Sequence, residues 1–160
     1  MKIVATDNAV LARSTPHGFW RFAANYLLAA RVVEVKIHEE GQLFFPTLQL
    51  YGITIELALK AFLLKRGLSL NEVRSLSHSL TKILALARRR KLGREVKLDR
   101  REIAAIQVLD INYSSHRLRY IVTGATKTPQ LIYIERAAKS LVLGLELLCT
   151  GTKGRLDHAV

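Results

Sequence analysis

The chain is short of cysteine, of clustered glycine and of acidic residues, and each shortage excludes a class of protein. Cys149 is the only cysteine, so an internal disulfide is impossible. One cysteine beside scattered histidines, none at a metal-ligand spacing, argues against a structural zinc site. The nine glycines are dispersed along the chain, which excludes a glycine-rich phosphate loop. We therefore expect neither a metal nor a cofactor.

The sequence also lacks a secretory leader and an uninterrupted membrane span. The start, MKIVATDNAV, has neither a basic beginning followed by a long apolar run nor a small-residue cleavage site. Glu56 and Lys60 interrupt the most apolar stretch, and Glu135 and Arg136 interrupt the next. Neither stretch reaches the roughly 18 consecutive apolar residues of a spanning helix. We expect a soluble protein in the reducing cytoplasm, with no membrane partner.

Acidic residues are outnumbered, 13 against 25 lysines and arginines, which gives a formal net charge of +12. This excess favours a polyanionic partner such as nucleic acid. Half of it lies in residues 88–101, RRRKLGREVKLDRR, with eight basic and two acidic residues. The predicted phosphate contacts are Arg88, Arg89, Arg90, Lys91 and Arg94. A solvated helix end is the alternative interpretation, and because no aromatic residue is interleaved there, the run does not predict base stacking.

No stretch shows the alternation of a half-buried strand, whereas apolar residues recur at helical spacing between caps and breakers. The composition, 49% hydrophobic, is sufficient for one core. Helices are predicted over residues 18–40, 46–66, 77–91, 99–122 and 129–149, with a short helical turn at 71–76. We predict an all-α bundle of four or five helices. It forms one domain over residues 1–160, with an ordered core at about 14–149 and loose termini.

The second predicted helix contains an internal charge pair within a nearly all-apolar surface. In LQLYGITIELALKAFLLKR, residues 48–66, the i and i+4 relation places Gln49, Gly52, Glu56 and Lys60 on one narrow polar stripe. Buried charges are costly unless they are paired. The stripe is therefore either a structural ion pair or part of a ligand-binding site.

The fourth predicted helix carries two polar groups where a surface helix needs one. Gln107, Asp110, Ser114 and Arg117 fall on one side, and Asn112, His116 and Arg119 fall nearly opposite. The segment YSSHRLRY, residues 113–120, is thus a second candidate site, with Asn112, Arg117, Arg119 and Tyr120 as predicted ligand contacts. The alternative interpretation makes Tyr113 and Tyr120 core aromatics.

His78 lies near the start of the third predicted helix, where it is either a general base or a capping residue. His17 and His38 are interpreted as surface histidines. These assignments leave His78, His116, Arg117 and Arg119 as the candidate catalytic residues.

The segments ELALKAFLLKRG, LSHSL and NYSSHRLRY, in this order, resemble the HEPN family of small prokaryotic helical domains. The resemblance covers roughly residues 15–149, and its most specific part is Glu56-Leu57-x-Leu59-Lys60 followed by His78-Ser79-Leu80. It implies an up-and-down bundle of four or five helices that often forms a homodimer. It also implies either an RNA-cleaving toxin or defence effector, or a noncatalytic RNA- or nucleotide-binding module.

Catalytic members of that family resemble one another in an arginine followed, after about four to six residues, by a histidine. This chain departs from the pattern, because only three residues separate Arg74 from His78 and because His116 precedes Arg117. The departure argues against ribonuclease activity.

Three hypotheses follow from the sequence. The first, which we prefer, is a noncatalytic HEPN-like module that binds RNA or a nucleotide through its basic surface. The second is a divergent metal-independent ribonuclease of a toxin or defence system, with His78 or His116 as base and Arg117 or Arg119 stabilising charge. The third is a partner-binding subunit of a toxin–antitoxin-like pair, with a cognate protein as its ligand.

Overall fold

The computed structural model describes residues 14–37, 39–120 and 124–154. Within them the chain forms six α-helices and no strand, which confirms the prediction of an all-α bundle. The helices are α1 (Pro16–Glu34), α2 (Phe44–Lys65), α3 (Leu70–Ser75), α4 (Leu80–Arg89), α5 (Arg100–Tyr113) and α6 (Leu131–Thr150). Single 3₁₀ turns, Gly41–Leu43 and Leu92–Arg94, precede α2 and follow α4. Helix α3 is the one that exceeds the predicted four or five, because the sequence predicts only a short helical turn there.

Helix α2 is the centre of the bundle and packs against each of the other five helices. Thirteen of its 22 residues are buried, and Tyr51, Ile55, Leu59 and Phe62 are fully enclosed. The segment Gly41–Lys65 is apolar and long enough to cross a membrane by composition, but 72% of its most apolar window is buried inside the protein. Its apolar surface therefore forms the core of the bundle.

The helix starts follow the capping rules that the sequence displays. The Thr15 side chain accepts a hydrogen bond from the Gly18 amide at the start of α1. Ser69 with Glu72, and Asp99 with Glu102, form complete capping boxes at α3 and α5. Each such cap satisfies backbone N–H groups that would otherwise lack partners, so these boundaries are predictable to within a residue or two.

Several helix ends differ from the predictions. Helix α1 ends at Glu34, six residues before the predicted end, and His38 and the predicted end of the fourth helix at Val122 lie outside the described residues. The predicted loose termini also lie largely outside them. The fourth predicted helix is wrong from residue 114 onward, because α5 stops at Tyr113.

The early end of α5 has a local cause. His116 adopts a left-handed conformation, φ +60°, and its amide bonds to the Tyr113 carbonyl at 3.1 Å. The Arg117 amide bonds to the Asn112 carbonyl at 2.9 Å. This pair of bonds is the Schellman motif, which normally has glycine where this chain has His116. The prediction of a helix with two polar sides over residues 107–119 is therefore wrong. Residues 114–120 form turns instead.

Candidate functional site

The candidate site is centred on the carboxylate of Glu56, in the middle of α2. Lys60 Nζ donates to Glu56 Oε1 at 2.6 Å, and Tyr113 Oη donates to Oε2 at 2.6 Å. His78 Nδ1 lies 3.1 Å from both oxygens. Glu56 is only 6% exposed and Lys60 only 7%. The stripe predicted from the sequence is thus a buried ion pair that also connects α2 to α5 and to the turn before α4.

The surroundings of Glu56 keep it ionised. Burial alone would raise the pKa of Glu56, but hydrogen bonds from Lys60 and Tyr113, with the charge of Lys60, outweigh burial and hold the pKa below its usual value. For Tyr113, burial and the adjacent Glu56 charge raise the pKa well above its usual value. Glu56 therefore acts as an acceptor and Tyr113 as a donor.

Glu56 also determines which nitrogen of His78 is protonated. An ionised carboxylate only accepts hydrogen bonds, so Nδ1 must carry the proton that points to Glu56. In the neutral ring, Nε2 is then left as an acceptor. The His78 side chain is 43% exposed, which places a carboxylate-oriented imidazole at the protein surface.

The turn that carries His78 is held from two sides. Ser77 is in the left-handed region, φ +54°, and its carbonyl accepts a hydrogen bond from Lys60 Nζ at 2.8 Å. On the other side, Asp110 accepts from the Ser79 hydroxyl and from the amides of Leu80 and Thr81 at 2.8–3.1 Å. Asp110 thus caps the N-terminus of α4 from α5. Left-handed residues other than glycine are uncommon, and here two of them, Ser77 and His116, lie in the turns before α4 and after α5.

His116 brings a second imidazole to the site. The rings of His78 and His116 lie 5.6 Å apart, centre to centre, in an edge-on arrangement. Within the described residues, the buried Nδ1 of His116 has no hydrogen-bond partner. The structure therefore brings His78 and His116, which lie far apart in sequence, to the Glu56–Lys60 pair of α2.

Arg117, Arg119 and Tyr120 follow His116 in the same turn and are exposed. The charge of Arg119 acts on Tyr113, where it lowers the pKa against the dominant effect of burial. Tyr113 is a buried aromatic as the alternative interpretation predicts, but Tyr120 is 71% exposed and is not a core residue. Two guanidinium groups and one exposed ring thus follow His116 within four residues, in the turn that carries it.

Asn112 has a structural role in place of the predicted ligand contact. It is 2% exposed, its Nδ2 donates to the Lys127 carbonyl at 2.8 Å, and its Oδ1 accepts from the Thr126 hydroxyl at 2.6 Å. Because both amide atoms are bonded within the protein, Asn112 anchors the connection to α6 and is not included in the site. Glu56 and Lys60 are likewise buried and position other groups.

The basic run lies at the other end of the bundle from the histidine pair. His78 precedes the N-terminus of α4, whereas the run begins at its C-terminus, about 15 Å further along the axis. The five predicted phosphate contacts are all exposed, and none forms an ion pair within the described residues. They are Arg88, Arg89, Arg90, Lys91 and Arg94. The structure thus places the basic run and the histidine pair on separate surfaces.

Three functional features are not apparent from the sequence. Gly52 gives space to Tyr113, since a Cβ built on it would lie 2.4 Å from the ring. Asp110 holds the turn of His78, although it is predicted only as a polar helix residue. Tyr133, on α6, lies against Arg101 of the basic run. Of these three features, only the close approach of Tyr113 has a signal in the sequence. Gly52 lies inside the polar stripe of α2, and an internal glycine often marks such an approach.

Acidification tests the ionised state of Glu56. Its folded-state pKa is depressed, so the stability it provides is fully present above about pH 4.5 and is lost as the pH falls through the lower folded-state value. We expect the difference in unfolding free energy between wild type and Glu56→Gln, from urea titrations at pH 7 down to pH 3, to shrink below pH 4.5. A constant difference across this range would contradict the depressed pKa of Glu56. The matched control is Glu39→Gln, which changes an exposed carboxylate paired with Lys36.

Among the described residues, no three His, Cys, Asp or Glu side chains are grouped as a metal site would require. The chain matches no known family of sequences, no characterised protein and no solved structure. The HEPN resemblance therefore stays a prediction.

Proposed function

We propose that the protein binds RNA or a nucleotide, with a phosphate seated against His78, His116 and the turn of Arg117 and Arg119. The proposal is carried by one observation, the 5.6 Å pairing of two histidine rings, one of them oriented by a buried glutamate. A scaffold does not need a half-exposed histidine held in one orientation by a buried carboxylate. An RNA site does, because the guanidinium groups of the turn donate to phosphate oxygens, while Nε2 of the neutral His78 ring accepts a hydrogen bond from a ribose hydroxyl.

The charge of the protein supports an anionic ligand. The net charge is +12, and the exposed arginines beside the histidine pair and along residues 88–101 are available to neutralise phosphates. Nucleic-acid phosphates release counterions when lysine and arginine neutralise them, so such binding weakens steeply with salt. A polyanion bound over both surfaces would contact several of these residues at once.

Removing the two arginines beside the histidine pair tests the phosphate site. For Arg117→Gln/Arg119→Gln we expect weaker binding of single-stranded RNA. We also expect the slope of log affinity against log salt to become shallower by about 1.4, at about 0.7 for each lost contact. Fluorescence anisotropy between about 50 and 200 mM KCl measures both quantities.

The matched control is Arg21→Gln/Lys65→Gln, which removes two exposed positive charges from α1 and α2. Equal slopes for the two double variants would show that only net charge matters and would contradict the site. Wild-type binding that is absent or insensitive to salt would contradict the proposed function itself.

The second candidate function is metal-independent RNA cleavage, which the proximity of two imidazoles favours. His78 Nε2 would take the proton of the ribose 2′-hydroxyl, whose oxygen attacks the adjacent phosphorus. His116 would give a proton to the departing 5′-oxygen, leaving a 2′,3′-cyclic phosphate and a 5′-hydroxyl. The guanidinium of Arg119 would stabilise the charge that develops on the phosphorane.

This second candidate is tested with an RNA oligonucleotide and its 2′-deoxy counterpart in the presence of a chelator. Cleavage requires the 2′-hydroxyl, so only the RNA should yield products, and both His78→Ala and His116→Ala should abolish them. Cleavage that survives in the double variant would exclude the mechanism. RNA binding without cleavage by wild type leaves the noncatalytic function as the conclusion.

A further inference from the structure

We infer that the recess beside Tyr133 is a subsite for one unpaired nucleobase, which makes the ligand single-stranded RNA. The inference rests on the proposed function and specifies its ligand. The recess lies between α5 and the start of α6, and its volume is about 270 Å³. Its lining is mainly apolar, with Ala104, Val108, Pro129 and Tyr133 among its residues, and Arg101, Thr128 and Gln130 at its polar positions.

The size and lining of the recess suit a single base. The recess is shallow and open to solvent, and its volume of about 270 Å³ leaves room for one ring system. Within the described residues, the side chains of Thr128 and Gln130 make no hydrogen bond, which leaves an amide and a hydroxyl for the polar edge of a base. The lining thus combines an apolar wall with a few polar groups.

Tyr133 supplies the aromatic group that the basic run lacks in sequence. Arg101 Nη1 donates to Tyr133 Oη at 3.0 Å, and the guanidinium carbon of Arg101 lies 5.7 Å from the ring centre. The guanidinium carbon of Arg136 lies 6.0 Å from it. Both guanidinium groups lie over the ring within the roughly 6 Å range of cation–π contacts, so a base that stacks on Tyr133 meets positive charge at the same place. Aromatic rings beside basic residues are the stacking platforms of single-strand binders.

The recess and the histidine pair lie at opposite ends of α5. Arg101 is near the start of α5 and Tyr113 is at its end, which separates the two places by about 18 Å along the helix axis. At a stacked rise of about 3.4 Å per nucleotide this distance corresponds to about five nucleotides. The exposed face of α5 between them carries Ala104 and Ile111 and no acidic residue. One short RNA strand can therefore reach both places.

Replacing Tyr133 separates base stacking from phosphate binding. We expect Tyr133→Leu to weaken binding of an oligoadenylate of about 12 nucleotides by roughly 5- to 150-fold, the range for loss of one stacked base. Tyr133→Phe keeps the ring and loses only the hydroxyl, so it should remain within about threefold of wild type. Neither variant should change binding of an abasic ribose–phosphate chain of the same length, which also reports that the variants are folded. Fluorescence anisotropy with both labelled ligands measures these affinities.

The outcomes separate the inference from the proposed function. If Tyr133→Leu binds oligoadenylate as wild type does, or weakens both ligands equally, the base subsite is wrong while phosphate binding stands. If wild type binds both ligands and Arg117→Gln/Arg119→Gln binds them unchanged, the phosphate site is wrong while the base subsite stands. If wild type binds neither ligand, both proposals are wrong.

Discussion

Replacing Glu56 with glutamine lowers the free energy of unfolding by about 3–5 kcal/mol at pH 7, which is a large part of the stability of an ordinary domain. The substitution removes the charge that neutralises Lys60, and Lys60 is 7% exposed, so water cannot replace the lost partner. It also weakens the hydrogen bonds that Tyr113 and His78 make to the carboxylate. Urea unfolding followed by circular dichroism measures the change.

The control is Glu39→Gln, which breaks an exposed i, i+3 ion pair with Lys36 and should cost less than about 1 kcal/mol. A double variant, Glu56→Gln/Lys60→Met, removes both charges and should recover part of the loss. A loss of less than 1 kcal/mol in Glu56→Gln would mean that Lys60 finds another partner or becomes hydrated. The central role assigned to the buried pair would then be wrong.

The architecture of the bundle could be predicted because it depends on local patterns. Apolar residues recur at helical spacing in every long helix, and the caps Thr15 and Asp99 occur at the helix starts as their chemistry requires. The error at the end of α5 has a specific cause. The Schellman motif there has His116 in the left-handed position where glycine is expected, so no breaker marks the boundary.

The candidate site could be predicted only in part. Glu56 and Lys60 are four residues apart on one helix, so their pairing follows from helical geometry alone. The bonds from Tyr113 and His78 join residues that are 57 and 22 positions from Glu56, and no local pattern relates them. The contact of Tyr133 with the basic run cannot be predicted for the same reason, because Tyr133 is 32 positions from Arg101.

The two proposed subsites place α5 in a central role. Its C-terminal end presents Tyr113 and the turn of His116, and its N-terminal end presents Arg101 to Tyr133. Asp110 and Asn112, both on α5, hold the turn before α4 and the connection to α6. The same helix therefore fixes both ends of the proposed RNA path. A change that displaces its C-terminal end should disturb the histidine pair and leave the Tyr133 recess intact.

Gly52→Ala makes such a change and should lower the free energy of unfolding by about 3 kcal/mol. The new Cβ would lie 2.4 and 2.5 Å from two ring carbons of Tyr113, and the ring is 2% exposed, so it has no space to move aside. Overpacking of this kind costs about 1–3 kcal/mol. Loss of the charged hydrogen bond from Tyr113 to Glu56 adds about 1.5–3 kcal/mol, and the better helix propensity of alanine returns about 1 kcal/mol.

A double-mutant cycle identifies Tyr113 as the cause of this loss. In a Tyr113→Ala background the clash is absent, so Gly52→Ala should become neutral or stabilise the protein by up to about 1 kcal/mol. Gly41→Ala is the matched control, because a Cβ there meets nothing within 4 Å and its effect should be within about 0.5 kcal/mol of zero. If Gly52→Ala costs the same with and without the Tyr113 ring, the contact between α2 and α5 does not seat Tyr113 on Glu56. The position of Tyr113 beside Glu56, and with it the position of the turn of His116, would then depend on other contacts.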